Sequence, residues 1–251
     1  MKKPSIFALA LAAVMAISAC GTADDTETSA PHALSYTEGS YTEGKGSLDI
    51  SVLRTAEYDF PAYETPEALA ADRPIVAAGV IDGWQQGPIL DSGTGTLDYR
   101  IVLRMRVTES LKGVKGRASI PEGLVFIELS QGAVLSDPAV PADQWKPYKS
   151  VSDFEKALPP GTRILAFPRE RPEQEQPVVN PGAPLPKGAQ LMLVPPQGLI
   201  LEDPQLPRPQ SGESTTLIGG LEPLNVGGAA WLRYEGVQEL VSHLKEQGFA
   251  E

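Results

Sequence analysis

Arg100, Arg104 and Arg106 are the residues of this chain most able to hold a ligand, because they recur at even spacing on one short segment. A guanidinium presents a planar fork of N–H donors that matches a carboxylate or a phosphate, so the three together could bind an anion or an acidic partner loop. The plainer alternative is that they pair with neighbouring acids on a solvated sheet face. Catalytic chemistry has less to draw on. Nucleophilic hydrolysis needs a serine, a base in reach and a third group to orient the base. Ser130, in Leu129-Ser130-Gln131-Gly132, is the serine worth naming and His243 the base, yet no nucleophile elbow surrounds Ser130, so a solvated turn serine is expected. The histidines, His32 and His243, lie far apart, and Cys20 is the only cysteine. A clustered imidazole or thiolate metal site is therefore not expected, nor is a calcium loop of the usual spacing. Gly93-Thr94-Gly95 and Gly227-Gly228 lack phosphate-loop and dinucleotide spacing and read as turns. Glu202 and Asp203 are adjacent in sequence, which does not place two carboxylates across a cleft as sugar hydrolysis requires; they are expected to be solvated. Trp84 and Trp145, the latter near Tyr148, sit in segments that read as loops, where an aromatic ring could stack on sugar or peptide or pack half-buried. No catalytic residue, cofactor or metal is predicted.

The elements that would position these residues are mostly strands. Residues 100–107 alternate, with Ile101, Leu103, Met105 and Val107 on one face and the arginines with Val102 on the other. Strands are also expected over residues 75–81, 124–129 and 163–167, and a hairpin with arms at 190–194 and 198–201 around Pro195-Pro196-Gln197. Thr65-Pro66-Glu67-Ala68-Leu69 reads as the start of a short helix, capped by Thr65, opened by Pro66 and stopped by Pro74. Ser152-Asp153-Phe154-Glu155 reads as a capping box opening a second. Val237, Leu240, Val241 and Leu244 fall at helical spacing and Gly248 follows, which predicts an amphipathic C-terminal helix over the sheet. Residues 169–188 gather acids and then prolines and read as an exposed loop with polyproline character.

The N-terminal segment has a different logic. Lys2 and Lys3 precede an apolar run over residues 6–17, too short to span a membrane and patterned as an export signal. It ends Ile17-Ser18-Ala19-Cys20, which resembles the lipobox of bacterial lipoproteins. That resemblance implies cleavage before Cys20, a diacylglycerol thioether on its sulfur and often a further acyl chain such as palmitate on the new N-terminus; the alternative is an ordinary signal peptide with an incidental cysteine. Several acyl chains, at about 0.8 kcal/mol per buried methylene, make attachment effectively permanent. Residues 1–19 are thus read as a signal peptide and residues 20–47 as a disordered acidic tether. The tether holds the tandem Ser35-Tyr36-Thr37-Glu38-Gly39 and Ser40-Tyr41-Thr42-Glu43-Gly44, read as slippage duplication with a recognition element around Tyr36 and Tyr41 as the alternative. The whole chain carries a formal charge of −11 from 21 basic and 32 acidic side chains, and loss of Lys2 and Lys3 with the signal leaves −13. Such a field draws no nucleic acid and no anionic lipid surface.

Residues 48–251 are then one β-rich extracytoplasmic domain. Thr65 to Asp72 leading into Ile75-Val76-Ala77-Ala78-Gly79-Val80 is similar to a group of uncharacterised secreted bacterial proteins with small oligonucleotide/oligosaccharide-binding or netrin-like barrels. So are Val107-Thr108-Glu109-Ser110-Leu111-Lys112-Gly113, Leu158-Pro159-Pro160-Gly161-Thr162-Arg163-Ile164-Leu165-Ala166-Phe167 and the closing helix. The chain lacks the disulfides that staple many netrin-like domains, which argues against protease inhibition. The expected fold is mainly β, a small barrel or sandwich of about five to seven strands with a short N-terminal helix and a C-terminal amphipathic helix. The expected role is a binding or interaction module on the extracytoplasmic face of a cell membrane, held by lipid on Cys20, with a protein or glycan partner and no nucleic acid. A hydrolase acting on an envelope polymer is the alternative, favoured if Ser130 lies within hydrogen-bond reach of His243.

Overall fold

The computed structural model describes residues 46–54, 59–93, 95–135, 137–141, 144–206 and 215–251. The expected signal peptide, Cys20, His32 and the expected tether through its tandem repeat lie outside the described residues. No helix among the described residues is long and apolar enough to cross a membrane.

Helix α1 (Pro66–Asp72) starts as its sequence dictates: extended Thr65 accepts the Ala68 N–H on its hydroxyl at 3.2 Å, and Pro66 opens the first turn. Strand β1 (Val76–Asp91) follows and runs on past the expected end at Ile81, through the segment of Gly83, Gly87 and Pro88 that reads as loop. Register shifts between Ile81 and Gly83 and between Gln86 and Ile89 absorb these residues. Pro88 falls inside the second shift, where its missing N–H costs no ladder bond. Antiparallel β2 (Thr96–Lys112) and β3 (Leu124–Leu135) complete a meander, and on β2 the alternation holds: Ile101, Leu103 and Met105 are fully buried while Arg106 is exposed.

Helix α2 (Val151–Ala157) is capped by Ser150 with Asp153, not by Ser152 with Glu155; the Ser150 N–H donates to the Asp153 carboxylate at 2.8 Å. The box therefore begins two residues earlier, because Asp153 is short enough to reach back to Ser150. Strands β4 (Arg163–Ala166), β5 (Arg169–Glu170), β6 (Val178–Asn180), β7 (Leu191–Leu193), β8 (Leu199–Glu202) and β9 (Leu217–Gly219) follow, and helix α3 (Val237–Glu246) closes the fold.

The protein is mainly β, with nine strands described in one mixed sheet ordered β5-β7-β3-β2-β1-β4-β8-β9 and β6 beside the far half of β1. The strand path is not closed. The expected hairpin of β7 and β8 does not form: β7 lies parallel to β3 and beside β5, whereas β8 pairs with β4 and β9. Pro195 and Pro196 between them have no N–H to donate and carry the chain from one side of the sheet to the other.

Two apolar clusters explain the arrangement. One gathers Ile101, Leu103, Met105, Ile127, Ile164 and Leu199 from β1 to β4, β7 and β8 with Phe154 of α2, so the sheet curls around it. The other packs Val76, Ala78, Leu165 and Ile200 against Leu69 of α1 and Leu240, Val241 and Leu244 of α3. Strands β1, β4 and β8 are thus buried on both faces. Each of the larger side chains here, from valine to phenylalanine, contributes about 1.5–3 kcal/mol on removal from water.

The proline-rich loop is largely exposed, but β6 adds to β1 and the Ala183 N–H donates to the Gln86 carbonyl at 2.9 Å. This lays Pro184 and Leu185 over Val102, leaving an apolar cavity of about 350 Å³.

Candidate anion-binding cleft

Strands β3 and β7 run side by side at Phe126 with Leu191 and Ile127 with Met192, then part. The gap becomes a cleft of about 440 Å³ lined by Leu129 and Ser130 on one side and Leu193, Val194, Pro195 and Pro196 on the other, with Phe60, Pro61, Tyr63 and Leu221 completing the wall. The Tyr63 backbone is held on both sides: its N–H donates to Gln197 Oε1 at 2.7 Å, and its carbonyl accepts from Gln197 Nε2 at 3.3 Å and Trp231 Nε1 at 2.8 Å. Gly227 makes this approach feasible, since a Cβ there would stand 2.1 Å from the Tyr63 carbonyl oxygen.

Arginines dominate the charge of the cleft. Arg73, Arg100 and Arg169 line it, with Glu128 on its floor. Glu128 is 95% buried as a side chain and lies between Arg171, at 2.8 Å from its Oε2, and Arg100, at 3.7 Å from its Oε1. The Arg171 guanidinium is itself largely buried and close, whereas Arg100 is more open, its contact is long, and its buried Nε has no hydrogen-bond partner. Burial pushes the Glu128 carboxyl above the usual range, and the charges of Arg171 and then Arg100 only partly offset this. Arg73 is engaged by Asp72, 3.1 Å from its Nε, and by the Tyr63 hydroxyl, to which it donates at 3.2 Å. Arg169 is exposed and makes no ion pair among the described residues. Three guanidiniums thus line the cleft with one carboxylate, an excess of positive charge in an acidic chain.

The three arginines singled out by sequence do not share one site. Arg100 enters the cleft; Arg104 and Arg106 instead pair with Asp82 of β1, at 3.4 Å and 2.7 Å. Ser130 lines the cleft, but His243 is engaged elsewhere, its Nε2 bonded to Glu67 where α3 meets α1, with the Tyr234 hydroxyl donating to the same carboxylate at 3.3 Å. Glu202 and Asp203, expected in solvent, are not there. Glu202 pairs with Arg163 and accepts the Val237 N–H at 3.1 Å; Asp203 is fully buried and accepts from the Ser47 hydroxyl at 2.7 Å, the Leu48 N–H at 2.9 Å and the Gln205 N–H at 3.0 Å. Trp84 is a core residue of β1 and not a loop aromatic: its ring lies 5.3 Å from that of Phe154 and its Nε1–H donates to the Leu158 carbonyl at 2.9 Å. Trp145 is half-buried, and its carbonyl accepts the Tyr99 hydroxyl.

Sequence reasoning missed Arg73, Glu128, Arg169 and Arg171. Two signals were available. Glu128 interrupts the apolar run Val125-Phe126-Ile127 with a charge, and Arg169 and Arg171 repeat at the spacing of a strand face.

Comparison with known protein families, with curated proteins and with solved structures finds no match to this chain.

Proposed function

We infer that the folded body is a binding module that takes an anionic ligand in the cleft between β3 and β7, and that the chain is the precursor of a lipid-anchored protein of the extracytoplasmic face. The observation that carries the first part is the convergence of Arg100, Arg169 and Arg73 on one cleft of a chain with net charge −11. Arg100 is the guanidinium best placed to receive a ligand oxyanion, because its existing contact with Glu128, made through Nε, is long and its side chain is partly open where it lines the cleft. Phe60, Leu193, Val194 and Leu221 offer apolar surface beside the charge, which suits an anion attached to an apolar group. Arg104 and Arg106 would add a general attraction along the same sheet face. The binding reading is favoured over hydrolysis because His243 is committed to Glu67 and Glu128 is the carboxylate that lines the cleft.

The lipid anchor rests on Ile17-Ser18-Ala19-Cys20 and the apolar run before it. Metabolic labelling with an alkyne fatty acid should mark the wild type and leave Cys20→Ala unmarked. For the fold, a sheet curled around one core, with α1 and α3 over β1, β4 and β8 on its outer face, supports a sandwich-like arrangement over a closed barrel.

The cleft is tested by calorimetric titration of the detergent-solubilised protein with glutarate and with phosphate. Binding that weakens about tenfold in Arg169→Glu, a cost of about 1.4 kcal/mol, supports the reading. Equal heats in wild type and variant would refute it.

A further inference from the structure

We propose that the cleft is the mouth of a strand-docking groove, in which an extended acidic peptide of a partner protein adds to the open edge of β3 between Leu129 and Leu135 and sets a carboxylate on Arg100 and Arg169. This rests on reading the cleft as an anion site and names the partner that fits it. Strand β3 is paired along its whole length with β2, from Leu124 to Leu135. On its other side β7 pairs at Phe126 and Ile127 alone, and among the described residues no strand flanks β3 beyond them. The edge left open is roughly 20 Å long at about 3.3 Å per residue. It begins at the cleft, because the cleft is the gap that β7 leaves as Pro195 and Pro196 turn it away.

Open edges are commonly guarded against foreign strands by charge, by proline or by a covering segment. Residues 129–135 hold no charged residue and no proline, and Leu135 at the end is 43% exposed. A bulge opposite Tyr99 and Arg100, with Gly132 at φ 113°, bends the strand without ending its pairing with β2. There the buried Gln131 donates from Nε2 to the Lys149 carbonyl at 2.9 Å, which leaves Gly132 to Leu135 as the more exposed part of the edge. An incoming strand would continue the line of β7, bond its main chain to β3 and present alternate side chains to the face that carries Arg100. The charge selects its sequence: the guanidiniums of Arg100 and Arg169 stand where the edge begins, so an acid at the matching end of the peptide completes them.

The test uses two labelled octapeptides of alternating Val and Thr, one with two Glu at its N-terminal end and one at its C-terminal end, titrated against the full-length protein in detergent by fluorescence anisotropy. One of the two should bind and should weaken about tenfold in Arg169→Glu. N-methylation of its amides, one at a time, should abolish binding at alternate positions and leave the intervening positions unaffected, since a strand turns every second N–H toward its partner. Peptide binding that depends on Arg169 but tolerates N-methylation everywhere would overturn strand addition while the anion site stands. Failure of both peptides while glutarate still binds would also overturn it. If neither peptides nor glutarate bind, the anion reading falls as well.

Discussion

Glu128 and Asp203 are both buried carboxylates, and they are held in opposite ways. Burial acts against the charge of Asp203, but the Leu48 N–H, the Ser47 hydroxyl and the Gln205 N–H outweigh it and keep the carboxyl below the usual range. Each donor points at an oxygen from a fixed position, so the acid ties the segment before Ile50 to the end of β8. Glu128 faces guanidiniums instead, one close and one at 3.7 Å, and its carboxyl is raised. The charge of Asp203 is met by fixed short hydrogen bonds, whereas that of Glu128 depends on two guanidiniums, one of them too far for a hydrogen bond.

The largest effect expected from breaking this contrast is in Asp203→Ala. It leaves three donors without their acceptor and should cost about 3 kcal/mol, read as a lower denaturant midpoint with an unchanged slope. Asp203→Asn keeps the shape and part of the acceptor capacity and should cost about half as much.

Next comes charge in the cleft. Glu128→Gln removes the anion that competes for Arg100, so glutarate should bind about tenfold more tightly, and, because burial already disfavours the charged form of Glu128, unfolding stability should fall by less than in Asp203→Ala. A stability loss as large as that of Asp203→Ala would place Glu128 among the structural acids and erase the distinction.

Acidity separates the two groups without mutation. The lowered Asp203 pKa means that its contribution is complete above the unfolded-chain value of about 3.9 and is lost as pH falls through the folded value. The raised Glu128 pKa acts the other way: between the unfolded value of about 4.3 and its folded value the native state holds more protons, so this residue's contribution declines as pH rises through that window. Comparing denaturation midpoints of Asp203→Asn and Glu128→Gln with wild type from pH 3 to 7 should give differences of opposite slope. Protonation of Glu128 also frees positive charge, so, with the ligand's own titration common to both proteins, the advantage of Glu128→Gln over wild type in glutarate affinity should shrink toward acid pH.

The smallest effect is expected at a third acid. Burial pushes the Tyr234 hydroxyl up to about 12, and the charge and hydrogen bond of Glu67 add to this. Glu67→Gln should lower that value, seen by ultraviolet titration of phenolate, with a stability change under about 1 kcal/mol.

A second contrast concerns sheet edges. Strand β6 exposes Val178 and Val179 between Pro177 and Pro181, with Glu173 and Glu175 close in sequence, while the open side of β3 carries no such residue. The guarded edge is the one with flanking prolines, which lack the N–H that a new strand would need.

What the sequence determined by itself was local. Thr65 and Pro66 set the start of α1, the period of Val237, Leu240, Val241 and Leu244 set the buried face of α3, and alternation assigned Ile101, Leu103 and Met105 to the core and the arginines to the other face. These follow from spacing within one element, where the backbone period alone decides which side chains share a side. Tertiary structure decided the partners. β7 and β8 are neighbours in sequence and strangers in the sheet; Arg100 joins Glu128, Arg169 and Arg73 while Arg104 and Arg106 go to Asp82; Asp203 is buried by a segment some 155 positions away in the chain. Strand pairing and charge burial depend on contacts between distant segments, and no period within a segment records which distant segment will arrive.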